Sequence, residues 1–143
     1  MADTSWQREE DVDALSEIAA YCESVVSGKK PACQWERLAV ERHLRDLTRA
    51  EEGWQYRFDE RLACKAIRYF QRLPHVKGHW AALRGNAKLL YLEPWQKFII
   101  ASIFGWVSIE TELRRFREAN IIVPRKNGKS ILAAGCGNYM LME

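Results

Sequence analysis

The chain has 143 residues, of which 48% are hydrophobic, so it is long enough to bury one core and too short for a second complete domain. Its 22 basic and 19 acidic residues leave a net charge of +3, which by itself does not indicate a nucleic-acid-binding protein. The first residues lack the apolar core of a signal peptide, no apolar run approaches the roughly 20 residues of a membrane span, and the four cysteines are not closely paired. These features predict a soluble protein of a reducing, cytoplasmic compartment.

Periodic apolar residues predict three helices in the first half of the chain, over residues 11–27, 34–50 and roughly 58–73. Gly53 follows the second helix and Pro74 ends the third. The second helix carries a dense Arg/Glu face opposite its apolar stripe. The predicted core-facing positions are Leu15, Ile18, Ala19, Cys22, Val25 and Val26; then Trp35, Leu38, Ala39, Leu44 and Leu47; then Phe58, Leu62, Ala63, Ala66, Ile67, Phe70 and Leu73.

Residues 75–90 contain glycine turn signals and predict an irregular connection. Cys64, His75 and His79 do not make a convincing zinc site, because Pro74 abuts the histidines and a fourth ligand is missing. Pro94 then occupies the position of a first helical residue. The helix that follows is apolar on two sides, so we expect it to be buried; its apolar positions are Trp95, Phe98, Ile99, Ile100, Ile103, Phe104 and Trp106.

A short β-branched run at residues 121–123 is followed by a polar turn and by a small-residue helix that opens at Gly128-Lys129-Ser130. The run predicts a buried parallel strand. Backbone N–H groups at a helix N-terminus favour an anion, a lysine adds a positive charge, and a serine hydroxyl can bind Mg²⁺. The pattern therefore predicts a phosphate-binding loop for a nucleotide. Small residues in the helix have a second explanation, since they also permit close packing.

The phosphate-loop pattern places a glycine where this chain has Val123, so only three of its four fixed positions are met. A bare Gly-Lys-Ser/Thr occurs by chance in roughly one chain in twenty of this length. The predicted strand before the loop and helix after it make the interpretation more specific. Six basic residues surround the loop in sequence, although charge runs usually just face water: Arg114, Arg115, Arg117, Arg125, Lys126 and Lys129.

Four segments, in this order, resemble the N-terminal part of the large terminase subunits of tailed bacteriophages, the ATP-driven motors that package DNA. They are residues 92–96 (Leu-Glu-Pro-Trp-Gln), 104–106 (Phe-Gly-Trp), 115–117 (Arg-Phe-Arg) and 124–130 (Pro-Arg-Lys-Asn-Gly-Lys-Ser). Weaker likenesses lie upstream, so that the resemblance spans about residues 20–141. Members of this family carry a deviant phosphate loop, or Walker A loop, with a basic residue ahead of Gly-Lys-Ser/Thr, which accounts for the missing glycine.

The resemblance implies ATP and Mg²⁺ as cofactors and assigns roles to residues of the loop. Arg125 and Lys129 are the implied catalytic residues, because a cation near the γ-phosphate stabilises the charge of the transition state. Lys126, Asn127 and Gly128 complete the ATP-binding loop, and Ser130 is the implied Mg²⁺ ligand. Gln96 is the implied reader of the adenine edge, although a glutamine at that place could equally cap a helix or face solvent.

The fold class implied is α/β: a mainly helical region over residues 1–91, then the start of a P-loop ATPase core of the ASCE type with a parallel sheet over residues 92–143. The family's Asp-Glu-ended second strand and C-terminal nuclease are not found in this sequence. We therefore expect a truncated terminase fragment that binds nucleotide weakly and does not turn it over.

Family membership implies double-stranded DNA, a small terminase subunit and the portal protein as partners, a homo-oligomeric ring, the bacterial host cytoplasm as location, and no membrane contact. Two alternatives stay open. The chain could be part of another P-loop protein, such as a helicase or small kinase. It could also be a helical interaction module in which Gly128-Lys129-Ser130 is incidental.

Overall fold

The computed structural model describes residues 5–142, with side chains from residue 9 onward. The chain begins with two helices, α1 (Ser5–Val26) and α2 (Gln34–Glu51). A short strand β1 (Tyr56–Phe58) leads into α3 (Glu60–Gln71). Two 3₁₀ turns, His79–Ala82 and Gly85–Lys88, precede α4 (Pro94–Gly105) and the strand β2 (Trp106–Ser108). The last helix is α5 (Lys129–Met142).

The core lies where α3 packs along α4, with α1 covering both helices and α5 closing one end. Its fully buried members include Val25 of α1, Ile67 and Phe70 of α3, and Ile100 of α4. α4 buries residues on more than one side, as its sequence predicted. None of the described helices is long and apolar enough to cross a membrane.

The helix predictions are largely confirmed, and Pro94 is indeed the first residue of α4. Phe58 and Trp106, however, were assigned to helices and lie in strands instead. β1 and β2 pair antiparallel, with Tyr56 opposite Ser108 and Phe58 opposite Trp106. These strands have three residues each, too few for a period-two pattern to be detected.

The predicted buried parallel strand at residues 121–123 is wrong. These residues are assigned to no strand, and the Ile122 side chain is 94% exposed. The described part of the chain contains a single sheet, the antiparallel pair β1–β2. A parallel strand requires a neighbour to accept and donate its backbone hydrogen bonds. The α/β class with a parallel sheet is therefore replaced by a mainly helical fold with one small antiparallel sheet.

The buried face of α2 also differs from its predicted stripe. Trp35 is 75% exposed, and Leu38 and Leu44 are exposed as well. The face turned inward instead carries Val40, His43 and Asp46. Polar side chains can occupy a core face when each finds a partner there.

His43 accepts a hydrogen bond at Nδ1 from the indole Nε1–H of Trp106, 3.1 Å away. Its ring also meets the rings of Phe58 and Phe98 edge-on. Burial, with the nearby positive charge of Arg42, lowers the pKa of His43 from 6.5 to about 4, against a smaller opposing effect of Asp46. The folded protein thus holds this imidazole neutral.

We expect this histidine to make folding sensitive to mild acid. Because the folded-state pKa is below the unfolded value, the stabilisation is complete above pH 6.5 and is lost as the pH falls through about 4. The complete protonation of His43 should lower the free energy of unfolding by about 3 kcal/mol. Urea unfolding of the parent and of His43→Gln at pH 7 and pH 4.5 measures it, with the exposed His79→Gln as control. The prediction fails if His43→Gln keeps the parent's pH dependence.

Candidate functional site

The predicted phosphate loop is a turn that leads directly into α5. Residues 125–128 form the turn, and α5 begins at Lys129. Lys126 and Gly128 both have positive φ angles, of 69° and 73°. Positive φ is unusual for a lysine and ordinary for a glycine, so Gly128 suits this backbone. The turn connects residues 121–124, which belong to no helix or strand, to α5.

The loop lies on the open surface. Arg125, Lys126, Asn127, Lys129 and Ser130 are all exposed. Among the described residues, none of the three cations is paired with a carboxylate. Their positive charge is therefore not neutralised locally, and it adds to the positive end of the α5 dipole.

The first turn of α5 leaves backbone donors free. The first α-helical bond there runs from the Leu132 N–H to the Gly128 carbonyl, at 3.0 Å. The N–H groups that precede Leu132 in the helix have no acceptor within it, as at every helix N-terminus. Together with the Lys129 ammonium and the Ser130 hydroxyl, they offer the donor set that phosphate oxygens accept. The hydroxyl can also bind a hard cation such as Mg²⁺.

Gln96, which belongs to α4, lies next to this loop. It is the third residue of α4, and its Oε1 accepts the Glu93 N–H at 2.9 Å as one half of a capping box. The other end of the carboxamide faces the loop, since a Cβ built on Gly128 would lie 3.2 Å from Nε2 of Gln96. Gln96 thus caps its own helix and also borders the predicted phosphate loop. Capping a helix and contacting the adenine edge are therefore compatible roles for Gln96.

Glu93 is a contributor that our reading of the sequence missed. Its side chain accepts from the backbone at Gln96 and completes the capping box. An acidic residue followed three positions later by glutamine is the signal that could have revealed it. The pair fixes the start of α4 and therefore the position of the Gln96 amide beside Gly128.

α5 is held against the core by one stripe of residues. Leu132, Gly135 and Tyr139 are buried, and they recur at helical spacing. The Tyr139 ring packs edge-on against Phe104 of α4, with ring centres 4.8 Å apart. Gly135 lies against Phe70 of α3. Glycine at position 135 lets α5 pack closely on α3, which is one of the two explanations that the sequence allowed for the small residues of this helix. This packing positions the loop at the start of α5.

The basic residues before the loop do not all face water. The Arg115 guanidinium donates to Asp46 at 2.7 Å and stacks between the rings of Trp54 and Phe116. Arg114 lies over the Phe104 ring. The default interpretation as a solvated cluster is wrong for Arg115, which instead joins α2 to the segment after β2.

The site is not a deep pocket. A cavity of about 210 Å³ lies elsewhere, between α1, α3 and the start of α4, where it is lined by Asp11, Glu17, Arg68 and Lys97 among others. Lys97 is buried there and pairs with Glu17 at 2.6 Å. Within the described residues, no group of three or more His, Cys, Asp or Glu side chains is placed to hold a metal ion.

Comparison with known proteins bears on this part of the chain. The family model for the terminase large subunit, ATPase domain, matches residues 94–142. This segment is similar to the ATPase domain of terminase large subunits. The matched residues begin at the first residue of α4 and end at the last residue of α5, so they contain both Gln96 and the loop. Neither a curated protein nor a solved structure matches the chain significantly.

The match confirms the resemblance for α4, the loop and α5. The upstream likenesses, over residues 20–91, lie outside the matched range and stay a prediction. Terminase ATPase domains act on a nucleotide, so the family agrees with the donor set found at the start of α5.

Proposed function

We propose that this terminase segment binds magnesium ATP at the loop of residues 125–130, as part of the ATP-driven DNA-packaging motor of a tailed phage. The observation that carries the proposal is the loop itself, in which Arg125, Lys126 and Lys129 surround a helix N-terminus with free backbone donors. The family match to residues 94–142 supports the same use of this segment.

Each loop residue has a role that follows from its chemistry. The Lys129 ammonium pairs with phosphate oxygens next to the α5 N-terminus. Ser130 offers its hydroxyl to Mg²⁺, which when bound neutralises charge on the terminal phosphates. The proposed role of Arg125 is to stabilise the charge that develops on the γ-phosphate. The backbone of Lys126, Asn127 and Gly128 wraps the phosphates.

Gln96 is proposed to contact the adenine edge. Its Oε1 is engaged by the Glu93 N–H, while Nε2 is turned toward Gly128. The amide thus keeps donor capacity on the loop side. A donor bordering the loop suits a base held beside the phosphates that the loop binds.

The motor's other parts are proposed from the family. Double-stranded DNA is the substrate that is moved, the small terminase subunit and the portal are the partners, and a ring of copies in the bacterial cytoplasm is the working form. The 143-residue chain alone is expected to bind nucleotide weakly and not to hydrolyse it, because its sequence has no strand ending in Asp-Glu.

Nucleotide binding by Lys129→Ala tests the proposal. We expect the variant to lose magnesium-ATP affinity about tenfold or more, because a charge-assisted bond to phosphate contributes about 1.5–3 kcal/mol. A fluorescent ATP analogue with Mg²⁺ reports the affinity, and Lys29→Ala, an exposed lysine beyond α1, is the matched control. Ser130→Ala should remove the Mg²⁺ dependence in particular. Equal affinity of Lys129→Ala and parent would instead favour a helical interaction module with an incidental Gly-Lys-Ser.

A further inference from the structure

The connection between α3 and α4 is a loop that the proposed nucleotide site does not use. We call residues 74–90 the basic loop. Two backbone bonds close its neck, from the His75 N–H to the Lys88 carbonyl at 2.8 Å and from the Leu90 N–H to the Leu73 carbonyl at 2.9 Å. Its two 3₁₀ turns pack on each other. The neck and the turns give this surface a defined shape.

All charged side chains of the basic loop are positive. No aspartate or glutamate occurs between Glu60 and Glu93, whereas the basic loop carries Lys77, Arg84 and Lys88. Lys77 and Arg84 are exposed, and Lys88 is half-buried. Within the described residues none of these three forms an ion pair with a carboxylate. Three unneutralised cations on one short loop favour an anionic partner.

An exposed aromatic residue, Trp80, lies between Lys77 and Arg84 in the sequence of this loop. Trp80 is 57% exposed, although it is held in place by the His75 ring, stacked at 6.0 Å, and by the His79 ring, edge-on at 5.8 Å. Tyr91, just after the neck, is also exposed. A fixed tryptophan with a free face can stack on a planar partner at little cost in side-chain entropy.

We propose that the basic loop binds single-stranded nucleic acid, with Lys77, Arg84 and Lys88 contacting phosphates and Trp80 stacking on an unpaired base. A positively charged surface with an exposed aromatic ring is the general composition of single-strand binding sites. An anionic membrane is less well suited, because binding there uses a broad apolar helix face. In the basic loop Val76 and Trp80 are exposed, but Leu83 and Leu89 are half-buried and Leu90 is buried, so the loop presents no broad apolar face. The inference does not rest on nucleotide binding at residues 125–130, since it uses other residues.

The test measures the affinity of the full chain for a labelled 12-nucleotide oligothymidine by fluorescence anisotropy over a range of salt concentrations. Three phosphate contacts predict a slope of log K against log salt of about −2 for a single strand. Lys77→Gln/Arg84→Gln should reduce the slope to about −0.7 and weaken binding at low salt by at least about tenfold. The matched control is Arg37→Gln/Arg61→Gln, which removes two exposed cations from α2 and α3.

Stacking is tested separately. Trp80→Ala should weaken binding about tenfold, with the salt slope unchanged, and Trp80→Phe should keep most of the affinity. Trp35→Ala, which removes another exposed tryptophan, is the control. Circular dichroism melts verify that each variant is folded.

Several results would overturn the inference. One is that the parent does not bind oligothymidine. Another is that the charge control and the basic-loop variant lose affinity equally. A third is that a 12-base-pair duplex binds more tightly than oligothymidine and that Trp80→Ala has no effect. Preferential binding of phosphatidylserine vesicles over oligothymidine would point to a membrane surface and would overturn it as well. Failure of ATP binding at Lys129 would leave all these measurements unchanged.

Discussion

Asp46→Ala is expected to lower the free energy of unfolding by about 3 kcal/mol, at the lower end of what breaking a buried ion pair costs. Asp46 is 1% exposed, and its Oδ2 accepts from Nη1 of Arg115 at 2.7 Å. The Arg115 side chain is 16% exposed and surrounded by aromatic rings, including those of Trp54 and Phe116. Without the carboxylate, this guanidinium stays in an apolar setting with no strong acceptor.

Urea unfolding followed by far-UV circular dichroism measures the effect. Glu41→Ala, at an exposed carboxylate on the same helix, is the matched control and should change stability by less than about 0.5 kcal/mol. A double-mutant cycle with Arg115→Ala isolates the pair, and the double variant should lose less than the sum of the single losses. Additive losses, or an Asp46→Ala variant as stable as Glu41→Ala, would show that the pair does not hold α2 to the segment after β2.

The same residues explain why the sequence predicted the helices but not every buried face. Helical periodicity is local, so α1, α3 and α4 follow from neighbouring residues. On α2, however, the face that is buried is decided by partners far along the chain, Trp106 for His43 and Arg115 for Asp46. Those separations, 63 and 69 residues, cannot be seen in a local pattern. Trp35 and Leu38 belong to the more apolar stripe of α2, but the face that is buried carries polar residues with specific partners.

Strands were predicted less well because pairing is not a local property. Residues 121–123 have the β-branched composition of a strand, yet no other described strand lies beside them. β1 and β2 formed instead, although each is only three residues long, because each supplies the other's backbone partners. Composition indicates that a segment can be extended, and the availability of a neighbour decides whether it becomes part of a sheet.

The turn at the start of α5 could be predicted from sequence because the residues that form it are consecutive. Gly128, Lys129 and Ser130 lie at the predicted helix start, and Gly128 has the positive φ that its residue type allows. The approach of Gln96 to Gly128 joins two elements and needed the structure. Arg115 shows the opposite case, in which a basic residue near a predicted site belongs to the core.

Gly135→Val is expected to lower the free energy of unfolding by about 3 kcal/mol through overpacking in the core. A Cβ at Gly135 would lie 2.3 Å from Cε1 and 2.8 Å from Cδ1 of Phe70. Phe70 is fully buried on α3, so its ring has little room to move away. Valine adds two further methyl groups to a Cβ that already has no space. Either α5 shifts or the Phe70 ring leaves its position.

Gly137 provides a matched control on the same helix. A Cβ there meets nothing within 4 Å, so Gly137→Val should leave stability within about 0.5 kcal/mol of the parent, with valine's slightly better helix propensity in its favour. Urea unfolding of both variants gives the comparison, and nucleotide affinity extends it to the site. Because Leu132, Gly135 and Tyr139 fix the helix that begins at Lys129, Gly135→Val should also weaken magnesium-ATP binding, whereas Gly137→Val should not. If the two variants behaved alike in both measurements, close packing of α5 on Phe70 would not be what positions the loop.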